Sequence, residues 1–106
     1  MLKINGVGQI ELGVQGENGA RQIEIDMGDW EEELSGGTVT VYHRRPGQEE
    51  AEEVESAEYE DGVLTWTPDS TDTEYAGKGD AEIQMAKGDV LKKSRNIKTI
   101  IRESLA

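Results

Sequence analysis

The chain has 106 residues, and its 23 acidic and 11 basic side chains give a formal net charge of −12 at pH 7. This length suits a single domain with one modest core, and the charge argues against nucleic acid or anionic membrane surfaces as partners, because both repel an acidic protein. The sequence has no cysteine, which excludes disulfides and thiolate metal sites, and no apolar run approaches the roughly 18 residues of a membrane-spanning helix.

The first predicted element is a β-hairpin near the N-terminus. Apolar and polar residues alternate in "QIELGV" (9–14) and again in "RQIEIDM" (21–27). Such period-two alternation is typical of strands with one buried face. The Asn18-Gly19 pair between them tolerates positive φ and therefore suits a tight reversal. We predict that the two segments pair with each other.

The clearest strand lies in the central part of the chain, after a short helical turn. "DWEEEL" (29–34) is predicted to form one turn of helix with Asp29 as its N-cap. "TVTVYH" (38–43) is rich in β-branched residues and predicts a strand. Pro46-Gly47 then predicts a reversal, because proline fixes φ at the first turn position and glycine supplies the positive φ of a type II turn.

The acidic segment "EEAEEVESAEYE" (49–60) fits two structures. Ala51, Val54 and Ala57 have helical spacing, whereas the preceding turn and the strand that follows favour an edge strand whose charges discourage edge-to-edge pairing. We predict the strand.

The second half of the chain predicts further short strands. They lie in "GVLTWT" (62–67), "AEIQM" (81–85), "VLKKS" (90–94) and "NIKTIIR" (96–102), with turns at "GKGD" (77–80) and "KGD" (87–89). The C-terminal segment 95–105 fits a helix as well as a strand, and we predict the strand. Regular short strands and turns indicate an all-β fold, an Ig-like antiparallel β-sandwich of about 7–9 short strands in a single domain, 1–106.

No chemical motif in the sequence predicts catalysis, a cofactor or a metal. His43 is the only histidine and has no cysteine to join it, so a structural role at the rim of the core is favoured. "DSTDTE" (69–74) supplies three carboxylates but lacks the glycine and the closing glutamate of a calcium loop. We therefore expect no catalytic residues, no cofactor and no metal ligands, and a protein that is not an enzyme.

The strand end "YHRRPG" (42–47) is the candidate interaction site. Cross-strand ion pairs are the simplest use of its two arginines, with Glu49, Glu50, Glu52 and Glu53 as partners. A docking point for an acidic partner surface is the competing interpretation. The candidate interface residues are Tyr42, His43, Arg44 and Arg45.

Several stretches together resemble one group of Firmicute phage and prophage structural proteins. They are "GVQGENGARQIEID" (13–26), "VTVYHRRPG" (39–47), "LTWTPDSTDTEYAGKGDAEIQM" (64–85) and "LKKS" (91–94). The chain is similar over nearly its whole length to the N-terminal module of baseplate upper proteins and tail fibres.

The resemblance implies a non-enzymatic virion structural protein, made in the host cytoplasm, whose partners are phage baseplate or tail proteins. It implies an attachment module of a longer protein, monomeric in isolation and trimeric through a downstream stalk. A carbohydrate-binding or glycan-hydrolysing β-sandwich is the alternative. Two or more exposed aromatic residues or paired carboxylates in a cleft would favour that alternative.

Overall fold

The computed structural model describes residues 1–105, which form ten strands and one short helix in two β-sheets. In chain order the elements are β1 (Leu2–Lys3), β2 (Gln9–Val14), β3 (Ile23–Asp26), α1 (Gly28–Glu33), β4 (Thr38–Arg44), β5 (Glu52–Glu53), β6 (Ala57–Glu60), β7 (Val63–Trp66), β8 (Gly77–Lys87), β9 (Val90–Lys93) and β10 (Ile97–Arg102). One sheet has the order β1-β3-β7-β6, and the other has the order β2-β10-β8-β4-β5 with β9 also paired to β8. The predicted all-β sandwich is confirmed.

Two strand pairings differ from the antiparallel arrangement expected. β1 runs parallel to β3, and β2 runs parallel to β10, whereas the other pairs are antiparallel. The strand number, ten, also exceeds the predicted range. β1 and β2 each pair with a strand that does not follow directly in the chain, so no tight turn imposes an antiparallel direction on the pair. The alternation within a strand does not reveal this direction.

The predicted hairpin between 9–14 and 21–27 is wrong. β2 lies in the six-stranded sheet beside β10, and β3 lies in the other sheet beside β7. The loop between them crosses the sandwich and is fixed there, since the Gly19 amide donates to the Pro68 carbonyl at 2.9 Å. Placing the two strands in opposite sheets lets their apolar faces pack against each other.

The core fills the space between the sheets, as the alternation predicts. Ala81, Ile83 and Met85 of β8 and Leu64 and Trp66 of β7 are all buried. In a strand, successive side chains point to opposite faces, so the intervening polar residues stay on the outside.

The predicted turn at 77–80 is instead the beginning of β8. A Cβ added at Gly79 would lie 2.5 Å from the Arg44 carbonyl oxygen and 2.8 Å from Thr99 Oγ1. The glycine therefore permits close approach of neighbouring groups inside a strand rather than a change of chain direction.

The helical turn is confirmed, but its predicted cap is wrong. The helix spans Gly28–Glu33 with Met27 at the N-cap position and no side-chain capping bond from that residue. The Asp26 carboxylate, three positions before Asp29, accepts a hydrogen bond from the Gly28 amide at 2.8 Å. A carboxylate one residue before the cap thus satisfies a free amide of the first turn.

The acidic segment 49–60 is extended, so the helical alternative is wrong. It contains two strands in different sheets, since β5 pairs with β4 and β6 pairs with β7. The chain crosses the edge of the sandwich between them, with Val54 buried at the crossing. The predicted C-terminal strand is confirmed as β10, and the reversal at Pro46-Gly47 is confirmed by the bond from the Gln48 amide to the Arg45 carbonyl at 3.0 Å.

Candidate functional site

The strand end Tyr42–Arg45 divides between the two faces of its sheet. Tyr42 and Arg44 point outward, whereas His43 points into the sandwich and is only 2% exposed. The His43 ring meets Trp66 edge-on, with the ring centroids 5.4 Å apart, and its Nε2 lies 3.2 Å from Thr99 Oγ1. His43 is therefore a core residue, and a partner protein cannot contact it across the outer surface of the sheet.

Burial sets the charge state of His43. Desolvation lowers its pKa to about 4, although the carboxylate of Asp72 acts in the opposite direction. The ring is neutral at pH 7, because an uncompensated buried cation is unfavourable. Among the described residues, its Nδ1 has no hydrogen-bond partner.

Arg44 does not pair with the glutamates of segment 49–53, contrary to the prediction. Its guanidinium lies 2.7 Å from the carboxylate of Asp80 on the neighbouring strand β8, and Lys98 on β10 reaches the same carboxylate at 2.7 Å. Hydrogen bonds from Lys98 and Arg44 lower the pKa of Asp80 to about 2. The three side chains form a ladder across the outer face of three strands.

Arg45 does have one of the predicted partners. Its guanidinium lies 3.2 Å from the carboxylate of Glu52 and 3.3 Å from that of Glu74. It also lies over the ring of Tyr75, 5.4 Å from the centroid. Tyr75 itself is 37% exposed and does not bury its ring at the corner between the sheets. Arg45 therefore joins the 52–53 edge to the corner that follows β7.

A half-enclosed cavity of about 210 Å³ opens beside this edge, and we call it the acidic slot. It lies between the crossing segment 52–55 and the turn 69–72, with His43 among its wall residues. The residues that line it are His43, Glu52, Glu53, Val54, Glu55, Asp69, Thr71 and Asp72. The sequence-based interpretation did not bring these two acidic segments together.

Two carboxylates of the acidic slot are committed to the fold. Asp69 accepts hydrogen bonds from the amides of Thr71 and Asp72, both at 3.0 Å. Asp72 is buried and accepts from the Ser56 hydroxyl, from the Trp66 indole at 3.3 Å and from the Asp69 amide at 2.9 Å. The D-x-x-D spacing at 69–72 is the local signal for this turn, since aspartate readily bonds backbone amides two or three residues away. Within residues 1–105, no group of three or more His, Asp or Glu side chains is arranged to hold a metal ion.

The outer edge of β9 is the second notable surface. β9 pairs with β8 on one side, and no strand of the described chain pairs with its other side. Val90 and Leu91 are 51% and 54% exposed there. Lys92 instead folds back over the Trp30 ring, 5.6 Å from its centroid, and forms an ion pair with Glu33. This edge thus combines free backbone hydrogen-bonding groups with two adjacent exposed apolar side chains.

Comparison of the chain with protein-family models and with curated proteins finds no match. Of the part of the chain that the structure describes, no helix has the length and apolar character required to cross a lipid bilayer.

Proposed function

We propose that this chain is a non-enzymatic structural module of a phage virion, which joins a tail fibre or receptor-binding part to the baseplate through protein–protein contacts. The resemblance over 13–94 supports the virion assignment. The sandwich fold suits the role, because two packed sheets display a surface rigidly without any moving part.

The β9 edge is the observation that carries the proposal. Exposed strands normally carry charges or are covered, since free backbone groups beside apolar side chains invite another chain to pair. β9 carries charges only in its second half, at Lys92 and Lys93, and Val90 and Leu91 leave apolar surface beside the first half of the edge. A partner that adds a strand to β9 would satisfy the backbone groups and cover both side chains at once. We therefore propose that a baseplate or tail protein docks on β9.

The role of Tyr42, Arg44 and Arg45 in an interface stays a prediction. Both arginines already pair with carboxylates of the same chain. A partner at that strand end would have to break or share those pairs, whereas a partner at β9 would not.

Four of the five aromatic side chains, all but Tyr42, are used within the fold and so favour attachment over glycan binding, whereas the carboxylates that line the acidic slot are a feature that the glycan alternative requires. Trp30 and Trp66 are buried, and the Tyr59 hydroxyl donates to Glu31 at 2.7 Å. Tyr75, which is partly exposed, lies against the guanidinium of Arg45. Glycan-binding sandwiches stack sugars on open aromatic faces, and these rings are already used within the fold.

Capture of tail proteins tests the proposal. The tagged wild-type chain, Leu91→Lys and the matched control Ala20→Lys, which alters an exposed loop residue, would be incubated with dissociated phage tails. We expect wild type and Ala20→Lys to retain the same tail protein and Leu91→Lys to retain at least about tenfold less, because a lysine would be buried without a partner. Failure of wild type to retain any tail protein would contradict the function, and equal capture by all three would contradict the β9 contact.

A further inference from the structure

We propose that the segment which docks on β9 is an acidic strand of the partner protein, with a carboxylate opposite Lys93 and an apolar side chain opposite Leu91. The inference rests on the proposed docking at β9 and adds the chemistry of the docking segment. It follows from the direction of the free backbone groups, from the distribution of charge over residues 87–98 and from two cations that the fold leaves unpaired.

The register of β9 determines which of its backbone groups are free. β9 pairs antiparallel with β8, and just after it the Ser94 amide donates to the Ile83 carbonyl at 2.8 Å. In an antiparallel ladder, residues that exchange hydrogen bonds with the partner strand alternate with residues whose N–H and C=O point away from it. Counting back from Ser94, Lys92 bonds to β8, whereas Leu91 and Lys93 present their N–H and C=O groups to the unpaired side. These groups are where an added strand would bond.

The same register defines the side chains that the added strand would meet. Leu91 and Lys93 are two residues apart, so they lie on one face of β9, and both are exposed. Side chains directly opposite each other on neighbouring strands interact, and opposite charges or two apolar groups stabilise such a pair. An antiparallel partner, the more stable arrangement, would therefore carry an acidic residue followed two positions later by an apolar one.

The distribution of charge favours an acidic segment. Residues 87–98 contain five of the 11 basic residues and only one acidic residue, in a chain with a net charge of −12. Within residues 1–105, seven basic side chains form ion pairs. Lys93 and Arg95 are exposed, and neither side chain has a hydrogen bond or ion pair among the described residues. Charges further away than about 10 Å are largely screened at 0.1 M salt, so these nearby cations dominate the field that a docked strand meets.

The same cations argue against a second copy of the chain as the occupant. Lysines on an exposed strand discourage pairing between identical edges, because like charges then face each other. Lys93 and Arg95 would repel the β9 edge of another copy, whereas carboxylates on a different protein would neutralise them. The edge therefore discriminates between partners by charge as well as by its free backbone groups.

A titration followed by NMR spectroscopy tests the inference. The probe is the acetylated and amidated peptide TETETVT, whose glutamates and valine have the proposed order, and the control peptide TKTKTVT carries lysines instead of the glutamates. We expect the acidic peptide to bind with a Kd on the order of 1 mM. It should shift the amide resonances of Leu91 and Lys93 more than that of Lys92, because only those two amides face the added strand. The basic peptide should bind at least about fivefold more weakly.

Matched variants assign the preference to one side chain. Lys93→Glu should weaken binding of the acidic peptide at least about fivefold and tighten binding of the basic one. Lys78→Glu, the same charge change at an exposed position of β8, should leave both nearly unaltered. Equal binding of the two peptides to the wild type, largest shifts outside 90–95, or equal effects of the two variants would each overturn the inference. A concentration-dependent dimer of the wild type that shifts the same amides would also overturn it, because a second copy would then occupy β9.

Capture of tail proteins by the same variants separates this inference from the proposed function. Lys93→Glu should retain at least about fivefold less tail protein than Lys78→Glu. If the wild type and Lys93→Glu retain equal amounts, docking at β9 stands and the acidic strand is overturned. If the wild type retains no tail protein but binds the acidic peptide as expected, the proposed function fails and the preference of β9 for an acidic strand stands.

Discussion

The burial of His43 predicts that the protein loses stability when the pH falls from 7.5 to 5.5. Its pKa is about 4 in the folded chain, compared with 6.5 for an ordinary histidine. The unfolded state therefore takes up a proton first as the pH decreases. The pKa of His43 is lower in the folded state than in the unfolded state. The contribution of neutral His43 to the free energy of unfolding is therefore fully present above pH 6.5 and is lost as the pH falls towards 4.

The size of the effect follows from these two values. At pH 5.5 the histidine would be about 90% protonated in the unfolded state and about 3% protonated in the folded state, so the free energy of unfolding should be about 1.4 kcal/mol lower than at pH 7.5. The loss approaches about 3 kcal/mol well below pH 4. Carboxylates whose pKa the fold lowers, such as Asp80 and Glu31, affect stability below this window.

Urea denaturation at the two pH values provides the assay. Trp30 and Trp66 are both buried, so tryptophan fluorescence should report unfolding. The control is His43→Gln, which keeps a side chain able to bond Thr99 but cannot titrate. We expect the difference of about 1.4 kcal/mol in the wild type and almost none in the variant. Direct titration of the His43 ring by NMR gives a second measurement that needs no variant. An apparent pKa near 6.5, or wild-type stability that is equal at both pH values, would refute the reasoning.

Three further predictions concern the fold. A double-mutant cycle between Arg44 and Asp80 should give a coupling of about 0.5–1 kcal/mol that decreases with salt, and zero coupling would mean that the 2.7 Å ion pair adds nothing. Gly79→Ala should lower the free energy of unfolding by about 1–3 kcal/mol in urea denaturation, because the added Cβ would lie 2.5 Å from the Arg44 carbonyl oxygen. The control Gly8→Ala should change this free energy far less, because no atom lies within 4 Å of the Cβ added there. Equal effects of the two substitutions would contradict the close approach at Gly79. Far-UV circular dichroism should show a β-rich spectrum with little helix, since α1 has six residues, and a helix content above about a third would contradict the fold.

Local pattern was sufficient to locate most of the strands. The alternation that buries Ile83 and Met85 in β8 depends only on neighbouring residues, so it can be read from the sequence alone. The same holds for the Pro46-Gly47 turn, where Gly47 has a φ of 78°. Turn geometry at such a pair is largely a property of the two residues themselves.

Long-range pairing could not be predicted in this way. The Asn18-Gly19 pair favours a reversal, but it does not determine whether the next strand joins the same sheet or crosses to the other one. In this fold the crossing loop is held by distant groups, since Asn18 accepts a hydrogen bond from the Ser70 amide at 3.2 Å. The parallel pairing of β2 with β10 also depends on strands that are far apart in sequence.

The candidate site shows the same limit at the level of side chains. The charges around Arg44 suggested the nearby glutamates, yet Asp80 lies directly across β4 and β8 in register with it. The acidic slot arises because segment 49–60 crosses between the sheets and meets the turn at 69–72. Neither segment alone indicates that His43 will lie between them.

Cross-linking mass spectrometry on intact phage tails that carry this chain is the most direct test of the attachment role. Lys93 on β9 provides an amine beside the proposed contact. We predict that Lys93 forms cross-links to a single baseplate or tail protein, and that each copy of the chain is linked to one copy of that protein. Absence of the chain from purified particles, or cross-links confined to the chain itself, would contradict the proposal that it is a structural module of the virion.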